Sequence, residues 1–324
     1  MKKVNELLVE RGIHIPKVET HTPEIKTQQI VDSFVKKNEE EGLRIFVAGG
    51  SRSGNSPVYE EEAYALGSKI AEMNFKLDFG LSSHGIMGAV AKGVLNVWAK
   101  QERDDVPIKG ITTKEYLAFC QKDEVIEHIH DVIVAHTLEE RKNQLLNADF
   151  VIFAPGGIGT LDELVYDCVA MQDGFLPLKP FIIFNVEGHY YHVLEYLKEI
   201  YIKGFSNATP FIVVDNSEEA GVAFQVLKYK YKVPPKKENV LSTVEDIIHI
   251  LPYVIEEKQT NPRTPVETIL KRIESTPELA EDIEKAYLRK EIERMYGRLE
   301  KAGQDTASVS EKLTGLKQRR KKVN

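Results

Sequence analysis

Short apolar runs alternate with amphipathic helical segments from residue 43 to residue 214, and this alternation constrains the fold more than any other feature of the chain. The strand-like runs are Leu43 to Ala48, Phe75 to Phe79, Ile108 to Thr112, Asp131 to Val134, Phe150 to Ala154, Phe181 to Asn185 and Phe211 to Val214. Between most of them lie helical patterns, at 57–73, 86–100, 138–147, 160–172 and 189–203. A chain that passes through a helix before each new strand returns to the same end of the sheet, so the strands pair in parallel and the helices cover them. The expected fold is α/β: a Rossmann-like parallel sheet with helices on both faces, spanning residues 43–232. Such sheets hold their ligands at the carboxyl ends of the strands.

The flanks read differently. Residues 1–42 form a helical N-terminal arm interrupted at Pro16 and Pro23, with Ile30, Val31, Phe34 and Val35 as a stripe that docks on the main body. Residues 233–324 are a mainly helical C-terminal extension. It opens on the linker-like "KVPPKKEN", continues through a helix capped by the Ser242 and Glu245 pair, and then enters a long charged helix from Thr276 and Pro277. Its last residues, "LKQRRKKVN", read as a solvated basic tail.

Composition narrows the function classes. Lys and Arg number 43 against 50 Asp and Glu, a net charge of -7, which argues against a protein that grips nucleic acid. The two cysteines, Cys120 and Cys168, supply neither a disulfide framework nor a four-ligand zinc set. No apolar run approaches the roughly 18 residues of a membrane span, and "MKKVNELLVERG" lacks a signal-peptide core. The expectation is a cytoplasmic protein with no membrane partner.

Three glycine-bearing turns follow strands: "GGSRSGNSP" at 49–57, "GLSSHGIMG" at 80–88 and "PGGIGT" at 155–160. In a parallel sheet all three open on one edge. The third suits an anion, because glycines let peptide N–H groups approach it and the following helix turns its positive end there. Glycine content alone fits tight turns equally well. Asp162 stands where a dinucleotide fingerprint needs its third glycine, and Ile86 where a Walker A loop needs its lysine. Arg141, at the start of the helix before the fifth strand, belongs to the same edge, and Glu163 lies one helical turn past Thr160. A guanidinium, a carboxylate and an anion cradle therefore converge. His84 sits in a loop of this edge and is a candidate ligand contact. His189 and His192, three apart, find no third ligand at a motif distance and read as an ordinary helix face rather than a metal site.

The segments "GSRSGNSPVY", "GIMGAVAKG", "EERKNQLL", "PGGIGTLDE" and "QDGFLPLKP" resemble, in this order, the Lonely guy family of nucleoside 5'-monophosphate phosphoribohydrolases, long labelled possible lysine decarboxylases. The likeness spans roughly residues 43–215. It implies hydrolysis of the N-glycosidic bond of a nucleoside monophosphate to free base and ribose 5-phosphate, with no cofactor and no metal. It also implies dimers built through helices beside the site, so the expected assembly is a homodimer or a higher homo-oligomer. Carried over by position, Gly156, Gly157, Gly159 and Thr160 hold the phosphate, helped by Gly50, Ser51 and Ser53, and Arg141 and Glu163 are the catalytic pair. Arg52 departs from the family's serine and would add a phosphate contact or select the base. Leu81 and Ser82 place side chains where the family has bare backbone. Met87 and Lys142, with His84, are further candidate substrate contacts. Breaking a ribosyl C–N bond builds positive charge on the sugar, which a fixed carboxylate stabilises; a decarboxylase would need a Schiff-base lysine, and no lysine stands out as one. The competing expectation is a nucleotide- or molybdenum-cofactor-binding protein of the same fold without turnover.

Overall fold

The structure is a computed structural model that describes residues 43–101, 107–117, 125–176, 179, 181–203, 205–206, 211–230 and 240–301. The N-terminal arm, the linker before residue 240, Cys120 and the basic tail lie outside the described residues.

The elements run β1 (Arg44–Ala48), α1 (Pro57–Glu72), β2 (Lys76–Phe79), α2 (Gly85–Lys100), β3 (Ile108–Thr113), β4 (Asp131–Ala135), α3 (Leu138–Leu146), β5 (Phe150–Phe153), α4 (Ile158–Gln172), β6 (Phe181–Phe184), α5 (Tyr191–Ile202), β7 (Phe211–Val214) and α6 (Ser217–Lys230), followed by α7 (Val240–Thr260), α8 (Val266–Ser275) and α9 (Pro277–Lys301). All seven expected strands are present within a residue or so at either end. They form one sheet in the order β4-β3-β2-β1-β5-β6-β7, every neighbouring pair parallel. The chain builds outward from β1 in one direction, then returns to start β5 on its other side. The loops that follow β1 and β5 consequently lead to helices on opposite faces of the sheet, which makes this part of the carboxyl edge the switch point at which open α/β sheets bind ligands.

Strands buried on both faces read as continuous apolar runs, and "FVIF" of β5 and "FIIF" of β6 are buried throughout. Alternate residues feed two cores. Phe46, Val151, Phe153, Ile183 and Leu164 belong to the core under α3, α4 and α5. Ile45, Val47, Phe79, Ile152 and Phe184 belong to the core under α1, α2 and α6. The second core does not stop at the sheet domain: Ile250, Val254, Ile269 and Ile273 of α7 and α8 are part of it.

Several expectations shift. The first C-terminal helix begins at Val240, so Ser242 lies inside it rather than at its cap, and it runs on through Pro252 to Thr260. Helix α8 has no counterpart in the sequence reading, although Val266, Ile269, Leu270 and Ile273 mark its buried face. Helix α4 starts at Ile158 with Gly157 as its N-cap, two residues ahead of the expected Thr160. Helix α5 starts at Tyr191, which leaves His189 in the loop before it.

Candidate active site

The crevice is held together by main chain. Gly50 N–H donates to Pro155 O at 3.0 Å and Ala154 N–H to Ala48 O at 2.8 Å, which ties the loops after β1 and β5 to each other; Met87 N–H at the start of α2 donates to Gly50 O at 3.3 Å. Gly85 has a φ of 61°, and a Cβ there would stand 2.5 Å from Arg52 N, so a side chain would be excluded twice, by backbone conformation and by the first loop.

In the third loop the glycines divide by role. A Cβ on Gly156 would collide with the Thr160 hydroxyl and reach 3.0 Å from Gly50 N, so this residue must be bare for the loops to meet. Gly157 and Gly159 have no atom within 4 Å of where a Cβ would be: they face open space. The first intrahelical bond of α4 is Leu161 N–H to Gly157 O at 3.1 Å. The peptide N–H groups ahead of it have no partner in the preceding turn, and they look into that space with the positive end of the helix behind them.

Beside this cradle stands the pair. Thr137 caps α3 by accepting from Glu140 N–H at 3.0 Å, which sets the helix that carries Arg141. Arg141 Nε–H donates to Ile111 O at 3.2 Å and Nη1–H to Glu163 Oε1 at 3.3 Å; the side chains are only 11% and 12% exposed. The guanidinium lies over the Tyr116 ring at 5.5 Å. Its other flank is Gly80, where a Cβ would fall under 3.0 Å from Nη2 and at 3.2 Å from Met87 Sδ. Burial pushes the Glu163 carboxyl above the ordinary carboxylate range, against the opposing pull of Arg141.

The remaining expected residues are distributed as follows. Met87 flanks Gly80 and so belongs to the pocket around Arg141. Lys142 Nζ is 3.0 Å from Asp162 Oδ2 and 4.6 Å from the centre of the Tyr166 ring, which joins α3 to α4. Ser53 Oγ–H donates to Glu60 Oε1 at 2.7 Å, while Ser51 and Arg52 are exposed. His84 Nδ1 is 2.9 Å from Ser83 Oγ. Ser51, Ser53 and His84 line a cavity of about 550 Å³ with Glu60, Glu61 and Lys92, and its lining includes neither Arg141 nor Glu163. The first and second loops thus divide their side chains between two sides of the same edge.

Leu81 and Ser82 do not crowd the crevice. Leu81 has a left-handed φ of 58° that turns its side chain inward, where it is 2% exposed and covers Gly110 of β3. Ser82 Oγ–H donates to His84 O at 3.3 Å within the turn.

His189, expected on a helix face, and Tyr190, which the sequence did not single out, complete the cradle. His189 Nε2 lies 3.2 Å from Gly156 N and 3.0 Å from Gly156 O, and the buried Tyr190 donates its hydroxyl to Ala154 O at 2.7 Å. The helix-face reading of His189 fails because Gly188, with φ of 70°, ends the β6 loop and delays the helix. The signal was available in "NVEGH", a glycine-bearing turn at the carboxyl end of β6. Among the described residues no cluster of three or more His, Cys, Asp or Glu could hold a metal ion.

The chain matches the family described as possible lysine decarboxylase over residues 87–223. It is 31% identical over 179 residues to a probable cytokinin riboside 5'-monophosphate phosphoribohydrolase (LOG4) of Oryza sativa subsp. japonica, an alignment that covers 54% of this chain and 73% of that protein. It is 29% identical over 200 residues to the cytokinin riboside 5'-monophosphate phosphoribohydrolase LOG2 of Arabidopsis thaliana, covering 61% of this chain and 87% of that one. The chain belongs to this family, the Lonely guy (LOG) proteins. Among solved structures, a molybdenum-cofactor carrier protein from Chlamydomonas reinhardtii is similar at 18% identity and a TM-score of 0.43, over 59% of this chain and 99% of that one.

Proposed function

We propose that this protein hydrolyses the N-glycosidic bond of a nucleoside 5'-monophosphate. Water adds to C1' as the C1'–N bond breaks, one proton of the water ends on the departing base, and the products are free base and ribose 5-phosphate. The observation that carries this reading is the Arg141–Glu163 pair, four-fifths or more buried, beside an open anion cradle at the switch point of the sheet. The 5'-phosphate sits on the peptide N–H groups around Gly157 and Gly159, at the positive end of α4. That anchor places the ribose toward Glu163, whose carboxylate faces the positive charge that grows at C1' and orients the attacking water. Arg141 fixes Glu163 and binds ribose or phosphate oxygens through its free N–H groups. The relatives' printed activity on cytokinin riboside 5'-monophosphates supports a phosphoribohydrolase; the class of base is left to assay.

The assembly we propose is a homodimer through the helices next to the crevice. Ile158, Val165 and Val169 recur along one side of α4 at 83%, 46% and 50% exposure, an apolar stripe that a second copy would cover. We also place the protein in the cytoplasm; no helix among the described residues is long and apolar enough to cross a membrane.

The test is incubation with a panel of nucleoside 5'-monophosphates and the matching nucleosides, with chromatography of the free base. Base release from monophosphates and poor release from nucleosides is expected. Nucleotide binding without base release would instead identify a binding module, and equal turnover of a nucleoside and its monophosphate would remove the phosphate cradle from the argument.

A further inference from the structure

Strand β3 ends in two buried threonines, Thr112 and Thr113, and the chain then makes a single helical turn, Lys114–Leu117. Thr113 Oγ1 accepts from Tyr116 N–H at 3.3 Å, as a capping residue does from the position three ahead. The turn packs on β3 and β4, which holds Tyr116 at the carboxyl edge. It follows the same strand whose Ile111 O receives Arg141 Nε–H, and the guanidinium lies over the Tyr116 ring, 5.5 Å from its centre.

Hydrogen bonds alone hold this guanidinium loosely. Its bonds of 3.2 Å to Ile111 O and 3.3 Å to Glu163 Oε1 are long beside the roughly 2.7–2.9 Å usual for charge-assisted pairs. The N–H groups of a guanidinium also lie in its plane, so such bonds resist movement out of that plane poorly. Of the residues around it, Gly80 and Ile111 are buried, Met87 is half-buried and the Glu163 side chain is 12% exposed; Tyr116, at 46%, is the exposed one of this set. The ring therefore stands on the solvent side of the pair. An aromatic face suits that place for a chemical reason. It attracts the cation through its quadrupole yet is no strong hydrogen-bond acceptor, so it shields the charge without drawing N–H groups away from Glu163 or from a ligand. A carboxylate or an amide there would compete for them.

We propose that Tyr116 is a positioning residue for the catalytic pair: its ring holds the Arg141 guanidinium against Glu163 from the solvent side. This rests on the reading of Arg141 and Glu163 as the pair that works on the N-glycosidic bond, and it assigns the ring a role in rate rather than in ligand binding.

The experiment measures KM and kcat for base release from purine and pyrimidine nucleoside monophosphates, and equilibrium affinity for ribose 5-phosphate, in the wild type and in Tyr116→Phe, Tyr116→Leu and Tyr116→Ala. Tyr116→Phe keeps the aromatic face and should stay within about twofold of the wild type. Tyr116→Leu keeps apolar bulk without the face, and both it and Tyr116→Ala should lower kcat about tenfold, because the fraction of molecules with the guanidinium in place falls by the strength of one screened cation–π contact. KM and ribose 5-phosphate affinity should hold within a few-fold. Adding Tyr116→Ala to Arg141→Ala should slow base release no further than Arg141→Ala alone, since a ring that acts through the guanidinium has nothing left to hold. Melting of the three single variants should stay close to wild type, because the residue is exposed. A wild-type kcat in Tyr116→Ala, or Tyr116→Leu performing as well as Tyr116→Phe, would overturn the inference and leave the hydrolase reading intact. So would a loss confined to KM that is larger for purine than for pyrimidine substrates, which would make the ring a platform for the base instead. A wild-type protein that releases no base would remove both.

Discussion

Placing a methyl group on Gly80 tests whether the Arg141–Glu163 geometry matters for rate rather than for folding. In Gly80→Ala the new Cβ falls far inside the 3.4 Å at which ordinary contacts with Arg141 Nη2 begin, so the guanidinium has to retreat by about 1 Å. Its bonds to Ile111 O and Glu163 Oε1 are already 3.2 Å and 3.3 Å long. A displacement of that size carries at least one of them past the roughly 3.5 Å at which a hydrogen bond is lost. The obstructing atoms are the ends of two flexible side chains, Arg141 and Met87, so the folded state can yield cheaply. Catalysis is less forgiving: a misplacement of about 1 Å can cost about a hundredfold, or about 2.7 kcal/mol of barrier. Steady-state base release with a nucleoside monophosphate should therefore show kcat reduced about a hundredfold with KM within a few-fold and melting nearly unchanged. Gly159→Ala supplies the contrast. Its methyl meets nothing in the free protein but occupies the space proposed for the anion, so KM should rise and kcat should hold. If Gly80→Ala turns over at the wild-type rate, or loses affinity and not rate, the pair is not positioned for chemistry as argued.

Glu163→Gln keeps shape while deleting charge and is expected to lower kcat on the order of a hundredfold with nucleotide affinity retained; with Arg141→Ala the losses should combine to less than their product, since the groups act as a unit. Burial raises the Glu163 carboxyl, so if its carboxylate is the working form, kcat should fall with acid at a higher pH than an ordinary carboxylate would give, and a flat profile down to pH 4.5 would count against it. Asp167 is fully buried, neither carboxylate oxygen has a partner among the described residues, and burial pushes its pKa from 3.8 to about 6 against the pull of Lys179. The native state binds this proton more tightly than the unfolded chain, so the stabilisation is present below pH 4 and is lost as pH rises through about 6, a change on the order of 3 kcal/mol; urea unfolding should show Asp167→Asn gaining on the wild type as pH goes from 4.5 to 7.5, and parallel curves would refute it. Light scattering at micromolar concentration should give a dimer, and Val165→Lys with Val169→Lys should shift it toward monomer without loss of fold.

The sheet was legible because its strands are short, mostly apolar runs separated by helical patterns, and glycine-bearing turns mark where the backbone leaves β1, β2 and β5. That Arg141 and Glu163 meet follows from the same logic, since both lie within the first two turns of helices that begin at the carboxyl edge. What the pattern hid depends on tertiary contacts. Gly80 looked like a turn residue, but it makes room for a guanidinium that arrives from a helix 61 residues later in the chain. Leu81 looked like an intrusion into the crevice, and only its left-handed backbone sends it into the core. His189 was read with His192 because spacing relates residues on a helix, whereas the partner that matters, Gly156, is 33 residues away. Helix α8 shows the opposite case: its amphipathic pattern is readable in the sequence, but it is only ten residues long and lies between two longer helices, outside the strand and helix alternation.

Helices α7 and α8 complete a core whose other half is laid down by β1, α1 and β2, so the first strand waits for residues about two hundred positions downstream before its outer layer is closed. On a chain that emerges at about 5–20 residues per second, that interval is on the order of ten seconds or more. Helix α6 is made only near the end of it, and its packing against α7 and α8 forms last. The site residues all lie earlier in the chain, and newly made protein should therefore pass through a state in which they are already in place while the surface of α6 that α7 and α8 will cover is still open to chaperones.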